Sequence, residues 1–159
     1  MTTSPSSTDS PGQPPVSRIL ETCLYVADLD RAIAFYRRVF GFNVMSHDDR
    51  MCALAVPNRE ALLLFRRGAS EDPSETPFGV IPGHGGQGVQ HLCFAIPRDT
   101  LGAWRAHLLA QAVPVESELT WPYGSISLYF RDPDDHSLEV ATPGLWPNDR
   151  PGSGETPGG

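Results

Sequence analysis

The chain contains an internal repeat, which restricts it to folds built from two copies of one small unit. The stretch Glu21-Thr-Cys-Leu-Tyr-Val26, followed by an amphipathic segment, returns as His91-Leu-Cys-Phe-Ala-Ile96 followed by a second one. Each copy runs on to an apolar strand and a closing glycine, Leu62-Leu-Leu-Phe-Arg-Arg-Gly68 and Leu138-Glu-Val-Ala-Thr-Pro-Gly144. Superposed, Glu21 falls opposite His91, Cys23 opposite Cys93 and Leu63 opposite Glu139. Three of the four outer-strand positions thus hold groups able to bind metals, and the fourth is leucine. Such a pattern suggests one site shared between two halves.

The local periodicities define the repeated unit. Residues 18–26 alternate, with Ile19, Glu21, Cys23 and Tyr25 on one face and Leu20, Thr22, Leu24 and Val26 on the other. Asp28 stands where a helix cap belongs. Leu29 to Phe40 then places Ala32, Phe35, Tyr36 and Val39 on one stripe, closed by Gly41. Residues 42–45, 52–56 and 61–65 read as three strands. In the second half the strand is 91–96, with Leu92, Phe94 and Ile96 opposite His91. Asp99 or Thr100 caps a helix over 101–110, and residues 113–118, 125–131 and 137–141 supply three more strands. Asp132-Pro-Asp-Asp-His136 is a tight turn between the last two. The expected fold is α+β: two tandem βαβββ modules forming a half-open, cupped mixed β-barrel with helices outside.

Glu21, His91 and Glu139 all project from the face opposite the apolar one. Carboxylates and imidazoles aimed into a barrel are expensive to bury unless paired, hydrated or bound to a cation. Composition narrows the partners. The chain has 159 residues and a formal charge of −7, which argues against a nucleic-acid surface. No apolar run approaches the roughly 18 residues a membrane span requires, and no secretory signal is visible. Three irregularly spaced cysteines read as reduced thiols in a cytoplasmic protein. Residues 1–16 and 147–159 are rich in Ser, Thr, Pro and Gly and read as disordered tails. The domain is expected over 17–146: module one at 17–68, a linker or functional loop at 69–88, and module two at 89–146.

In their order and spacing, several strings resemble the vicinal oxygen chelate superfamily, which includes glyoxalase I, bleomycin- and fosfomycin-resistance proteins and extradiol dioxygenases. They are Tyr25-Val-Ala-Asp-Leu29, Ala34-Phe-Tyr36 and Val39-Phe-Gly41. The second half adds His91-Leu-Cys-Phe-Ala-Ile96, Tyr129-Phe-Arg-Asp-Pro-Asp134 and Leu138-Glu-Val140. The resemblance spans about Ile19 to Gly144. It implies one divalent metal ion (Mn, Mg, Zn or Fe) held by Glu21, His91 and Glu139, from the first and last strands of the modules. Leu63 falls where glyoxalase I places a fourth ligand, a glutamate. One histidine with two carboxylates also departs from the two-histidine, one-carboxylate set of non-haem iron dioxygenases and favours harder ions. Lewis-acid chemistry of lyase, isomerase or transferase type on a small substrate with vicinal oxygens is expected. A metal-free protein sequestering a small hydrophobic compound is the alternative, and an extradiol-type dioxygenase the lesser one. The family implies a homodimer or a single-chain site.

Further candidates come from the residues themselves. His84, in Pro82-Gly-His-Gly-Gly86, reads as an acid–base group, a substrate contact or a fourth ligand, against a solvated loop histidine. Glu21 or His84 would serve as general base. Trp121, Tyr123 and Tyr129 would line an apolar wall for substrate or pack in the core. Arg66 would meet an anionic substrate or sit at a solvated strand end. Cys23 and Cys93 read as small core residues. His47, His107 and His136 are assigned to the surface.

Overall fold

A computed structural model describes residues 12–150. The observed order is β1 (Glu21–Val26), α1 (Leu29–Phe40), β2 (Asn43–His47), β3 (Met51–Val56), β4 (Glu60–Arg66), β5 (Ser74–Thr76) and β6 (Gly79–Ile81). It continues with β7 (His91–Ala95), α2 (Leu101–Ala110), β8 (Ser117–Thr120), β9 (Ile126–Arg131) and β10 (Ser137–Ala141). The strands form two four-stranded mixed sheets with the same topology, β1-β4-β3-β2 and β7-β10-β9-β8. The repeat is therefore a repeat of structure. In the parallel pairs Cys23 lies beside Leu63, and Cys93 beside Glu139. The strand registers of the two halves therefore match at the positions the repeat equates.

Helix α1 begins and ends where its local chemistry requires. The Asp28 side chain accepts a hydrogen bond from the Arg31 N–H, and Gly41 closes the helix at φ 72 with its N–H on Arg37 O. Its apolar stripe buries Leu29, Ala32, Ile33, Phe35, Tyr36 and Val39. These pack with Leu24, Val26, Leu54, Leu62 and Leu64 from the first sheet and Leu128, Phe130, Leu138 and Val140 from the second. One core therefore serves both halves.

The halves are tied on the helix side. Phe40 meets Phe94, Trp104 and Phe130 at centroid distances of 4.6, 5.5 and 6.1 Å. The turn after β9 adds polar ties. Tyr36 donates to Asp132 Oδ2 at 2.9 Å, and Asp134 Oδ1 accepts from the Ala27 N–H at 2.7 Å. His136 is fully buried rather than at the surface, with Nε2 donating to Tyr25 O and Nδ1 accepting from the Gln90 N–H. Residues chosen for turn propensity in the sequence thus also hold module one against module two.

Four features differ from expectation. The β8 ladder starts at Ser117 rather than at Val113. Pro114 has no N–H to give a ladder, and Val113 is instead buried in the core. Helix α2 follows a 3₁₀ turn at Arg98–Thr100 and has no side-chain cap, because the Thr100 hydroxyl donates to Pro97 O. Residues 69–88 contain the β5–β6 hairpin, anchored at its base by Arg50, which donates to Ala69 O and Ser74 Oγ. A further 3₁₀ turn, Pro147–Asp149, folds back so that the Gly144 N–H meets Asp149. Residues 1–11 and 151–159 of the expected tails lie outside the described residues.

Candidate functional site

Strand alternation sends one set of side chains into the core and the other to the open face of each sheet. On the second sheet Leu138 and Val140 are fully buried under the helices, while Glu139 points the other way between Cys93 on β7 and Tyr129 on β9. Glu139 is nevertheless only 2% exposed. Its Oε2 lies 3.3 Å from His91 Nε2, and its Oε1 is buried without a hydrogen-bond partner. The Tyr129 ring stacks beside His91 at 6.2 Å, and burial followed by the Glu139 charge pushes its phenol above the ordinary value. The sequence offered His91 and Glu139 as ligands and Tyr129 as a substrate wall or a core aromatic; the structure puts the three side chains side by side.

The protonation of this pair follows from its hydrogen bonds. His91 Nδ1 lies 2.9 Å from Ser137 O. A carbonyl only accepts, so Nδ1 carries the proton and a neutral ring leaves Nε2 as a bare lone pair. That lone pair faces a carboxylate oxygen. Two acceptors at this distance need a proton or a cation between them: a proton on the imidazole, a proton on the carboxyl, or a metal ion. A divalent ion would meet an imidazole nitrogen oriented by a backbone carbonyl and a carboxylate oxygen lacking a partner, so this donor set fits a metal.

Glu21 is not part of this cluster within one chain. No group of three or more His, Cys, Asp or Glu able to hold a metal occurs among the described residues. Glu21 instead lines a cavity of about 800 Å³ on the open face of the first sheet. Thr22, Cys23, Leu63 and Phe65 line it too, with Arg50 and Met51 from β3 and its turn, and Pro82 and His84 from the connecting segment.

His84 is not solvated in its loop. Its Nδ1 is 2.7 Å from Tyr25 OH, its ring meets Phe65 edge-on at 4.5 Å, and its backbone exchanges hydrogen bonds with Ser70. Sequence reasoning missed Tyr25 as a site residue. Its place on the Glu21–Cys23 face was the available signal.

The other candidates scatter. Trp121 donates through Nε1 to Ser127 Oγ, two residues before Tyr129 on β9, and so joins the open face of the second sheet. Tyr123 is 66% exposed with the Arg150 guanidinium 3.6 Å over its ring. Arg66 lies outside the Glu21 cavity. It borders a separate depression of about 520 Å³ with Asp28, Asp30, Asp48 and Asp49, because its position on β4 points opposite to Phe65. Cys93 is exposed and Cys23 half-buried on the open faces, whereas Cys52 is the buried one, and all three thiols are free.

Two mixed sheets of identical topology, with polar groups on the faces away from their helices, define a duplicated βαβββ protein. The family model for the Glyoxalase/Bleomycin resistance protein/Dioxygenase superfamily matches residues 18–140, and the chain belongs to that superfamily. It is similar to a crystal structure of lactoylglutathione lyase from Agrobacterium tumefaciens, with 38% identity and a TM-score of 0.77 over 84% of this chain and 99% of that one. A catechol-2,3-dioxygenase from Bacillus subtilis is 28% identical over 138 residues, covering 82% of this chain. This chain spans 44% of that relative's length. The fold is also that of a fosfomycin resistance protein, FosX, from Listeria monocytogenes, at 17% identity and a TM-score of 0.60 over 82% of this chain and 96% of that one. No helix among the described residues is long and apolar enough to cross a membrane.

Proposed function

We propose that the chain is a metal-dependent enzyme of this superfamily acting on a small substrate with vicinal oxygens, by chemistry of lyase, isomerase or transferase type. The observation that carries the reading is the His91–Glu139 pair, in which an imidazole lone pair faces a buried carboxylate with one oxygen unsatisfied. His91 and Glu139 would hold a divalent ion (Mn, Mg, Zn or Fe), which when bound supplies Lewis-acid polarisation of a substrate oxygen. The Ser137 carbonyl orients His91, and Tyr129 beside it forms one wall for substrate. Trp121 extends that wall. Tyr123 and Arg66 have no comparable support.

Glu21 is the third ligand in this reading, supplied by a second copy of the chain in a homodimer. Its position is equivalent to that of His91 in the repeat, yet it opens on a different cavity of its own chain. Pairing the open face of one copy's first sheet with the open face of another's second sheet would bring Glu21 and His84 opposite His91 and Glu139. Glu21 or His84 then acts on the substrate proton. The three free thiols fit a cytoplasmic setting.

Protein purified without chelator should contain stoichiometric metal, lost in His91→Ala. Mixing Glu21→Ala with His91→Ala chains should restore one intact site per mixed dimer. Absence of metal, with no thermal shift on adding Mn²⁺ or Zn²⁺, would sink the enzyme reading. That result would favour a second reading, supported by the Met51, Leu63 and Phe65 lining of the first-sheet cavity: a metal-free protein that sequesters a small apolar compound. An extradiol reading, suggested by the relationship to the catechol dioxygenase, would need Fe²⁺-dependent oxygen uptake with catechols.

A further inference from the structure

The first-sheet cavity holds a hydrogen-bonded pair whose geometry assigns a direction. Tyr25 OH is 2.7 Å from His84 Nδ1, and among the described residues His84 Nε2 has no hydrogen-bond partner although the ring lines the cavity. Each member is held independently. The Tyr25 backbone is fixed by module two, through Gln90 Oε1 at 2.9 Å from its N–H and His136 Nε2 at 2.8 Å from its carbonyl. His84 is fixed through Ser70, which accepts from the His84 N–H at 2.7 Å and donates its hydroxyl to His84 O at 2.9 Å. Phe65 blocks the ring edge-on. Gly86 permits the approach, since a Cβ there would stand 2.5 Å from Tyr25 Cδ2.

Two arrangements of the shared proton are conceivable, and chemistry separates them. Burial, reinforced by Cys23, pushes the phenol up to about 12, so Tyr25 keeps its proton at neutral pH. The phenol can send it to the Cys23 sulfur, a weak acceptor, or to imidazole Nδ1, a strong one. The imidazole bond is favoured, which leaves the ring proton on Nε2.

We infer that Tyr25 is a positioning residue that holds His84 as the Nε2–H tautomer, so that His84 presents a hydrogen-bond donor to an acceptor oxygen of the bound small molecule. This rests on the reading of the first-sheet face as one wall of the substrate site. It deepens that reading by separating its two candidate acid–base groups. In the resting site His84 is the donor, which leaves Glu21, once released from the metal, as the proton acceptor.

The test is two-bond ¹H–¹⁵N correlation of the histidine rings in the full chain at neutral pH, with His84 identified by its loss in His84→Gln. Wild type should show a protonated Nε2 and an unprotonated Nδ1. Tyr25→Phe should convert this to a mixture of tautomers while the His136 ring signals stay in place. Cys23→Ala should leave the His84 tautomer unchanged. A protonated Nδ1 in wild type, an unchanged tautomer in a folded Tyr25→Phe, or a switch in Cys23→Ala would each overturn the assignment. If Tyr25→Phe does not fold, the wild-type and Cys23→Ala spectra still decide the matter. Failure of the metal-site reading is seen separately, in metal content, and does not move these signals.

Discussion

Replacing Glu139 by leucine separates a carboxylate kept for binding from one kept for structure. The repeat supplies the substitution: Leu63 holds the equivalent position on β4, beside Cys23 as Glu139 is beside Cys93. In metal-free protein Glu139→Leu loses one pairing with His91, whose side chain is 52% exposed to screening solvent, against 3% for the Glu139 side chain. Pairs of that kind contribute about 0–1 kcal/mol. The substitution also removes a buried oxygen with no partner, a relief of about 1–3 kcal/mol. It adds apolar surface beside Cys93, but it also takes the carboxylate away from the Tyr129 hydroxyl, which offsets part of the gain. The balance favours the variant by about 1–2 kcal/mol, or an upward Tm shift of about 2–4 °C per kcal/mol for a chain of this size.

Metal should reverse the order. At a free concentration of 100 times Kd the wild type gains about 2.7 kcal/mol, and the variant gains nothing. Thermal unfolding at fixed protomer concentration, with EDTA and then with Mn²⁺, reads both effects. If the metal-free variant instead loses about 3–5 kcal/mol, the cost expected for breaking a buried structural pair, Glu139 is architectural and the reasoning fails.

Four further outcomes follow from contacts elsewhere in the fold. Tyr36→Phe strips the hydroxyl from buried Asp132 and should cost about 1–3 kcal/mol in urea unfolding; a loss below about 0.5 kcal/mol would deny the tie between the modules. Burial holds the Asp132 carboxyl above its ordinary value, so the folded state keeps that proton longer than the unfolded chain does. Stability from this group therefore falls as pH rises through the raised value, and Asp132→Asn should flatten that slope. Asp48 is the opposite case: hydrogen bonds from the Arg50 and Met51 N–H groups lower its value, so its contribution is present above the ordinary aspartate pKa and lost as pH falls through the lowered one. Asp48→Ala should cost at most about 1 kcal/mol at neutral pH and nothing in acid; a difference that persists in acid would contradict this account. Gly86→Ala should cost about 1–3 kcal/mol and disturb the His84 ring signals, because the new Cβ meets Tyr25 and the Gln90 amide at 2.5 and 2.8 Å. Unchanged stability and spectra would show that the loop yields freely.

Much of the fold was legible because its signals are local. The cap at Asp28, the stripe from Leu29 to Val39 and the stop at Gly41 lie within one turn of the residues they control, so α1 follows from spacing alone. Strand alternation likewise separated Glu139 from Leu138 and Val140, and put His91 and Glu139 on one face. Where the β8 reading failed, proline chemistry and a core contact of Val113 outweighed an apolar pattern.

The duplicated unit, its α+β class and the face on which each strand residue lies are written in near neighbours, because period and capping act over a few residues. Which chemistry-bearing groups meet was settled by packing between distant segments. His136 became a buried tie instead of a surface residue, His84 found Tyr25 across 59 residues of chain, and Glu21 was kept apart from His91 and Glu139. Those outcomes depend on how two sheets pack around a shared set of helices, and no local period of the chain encodes that distance.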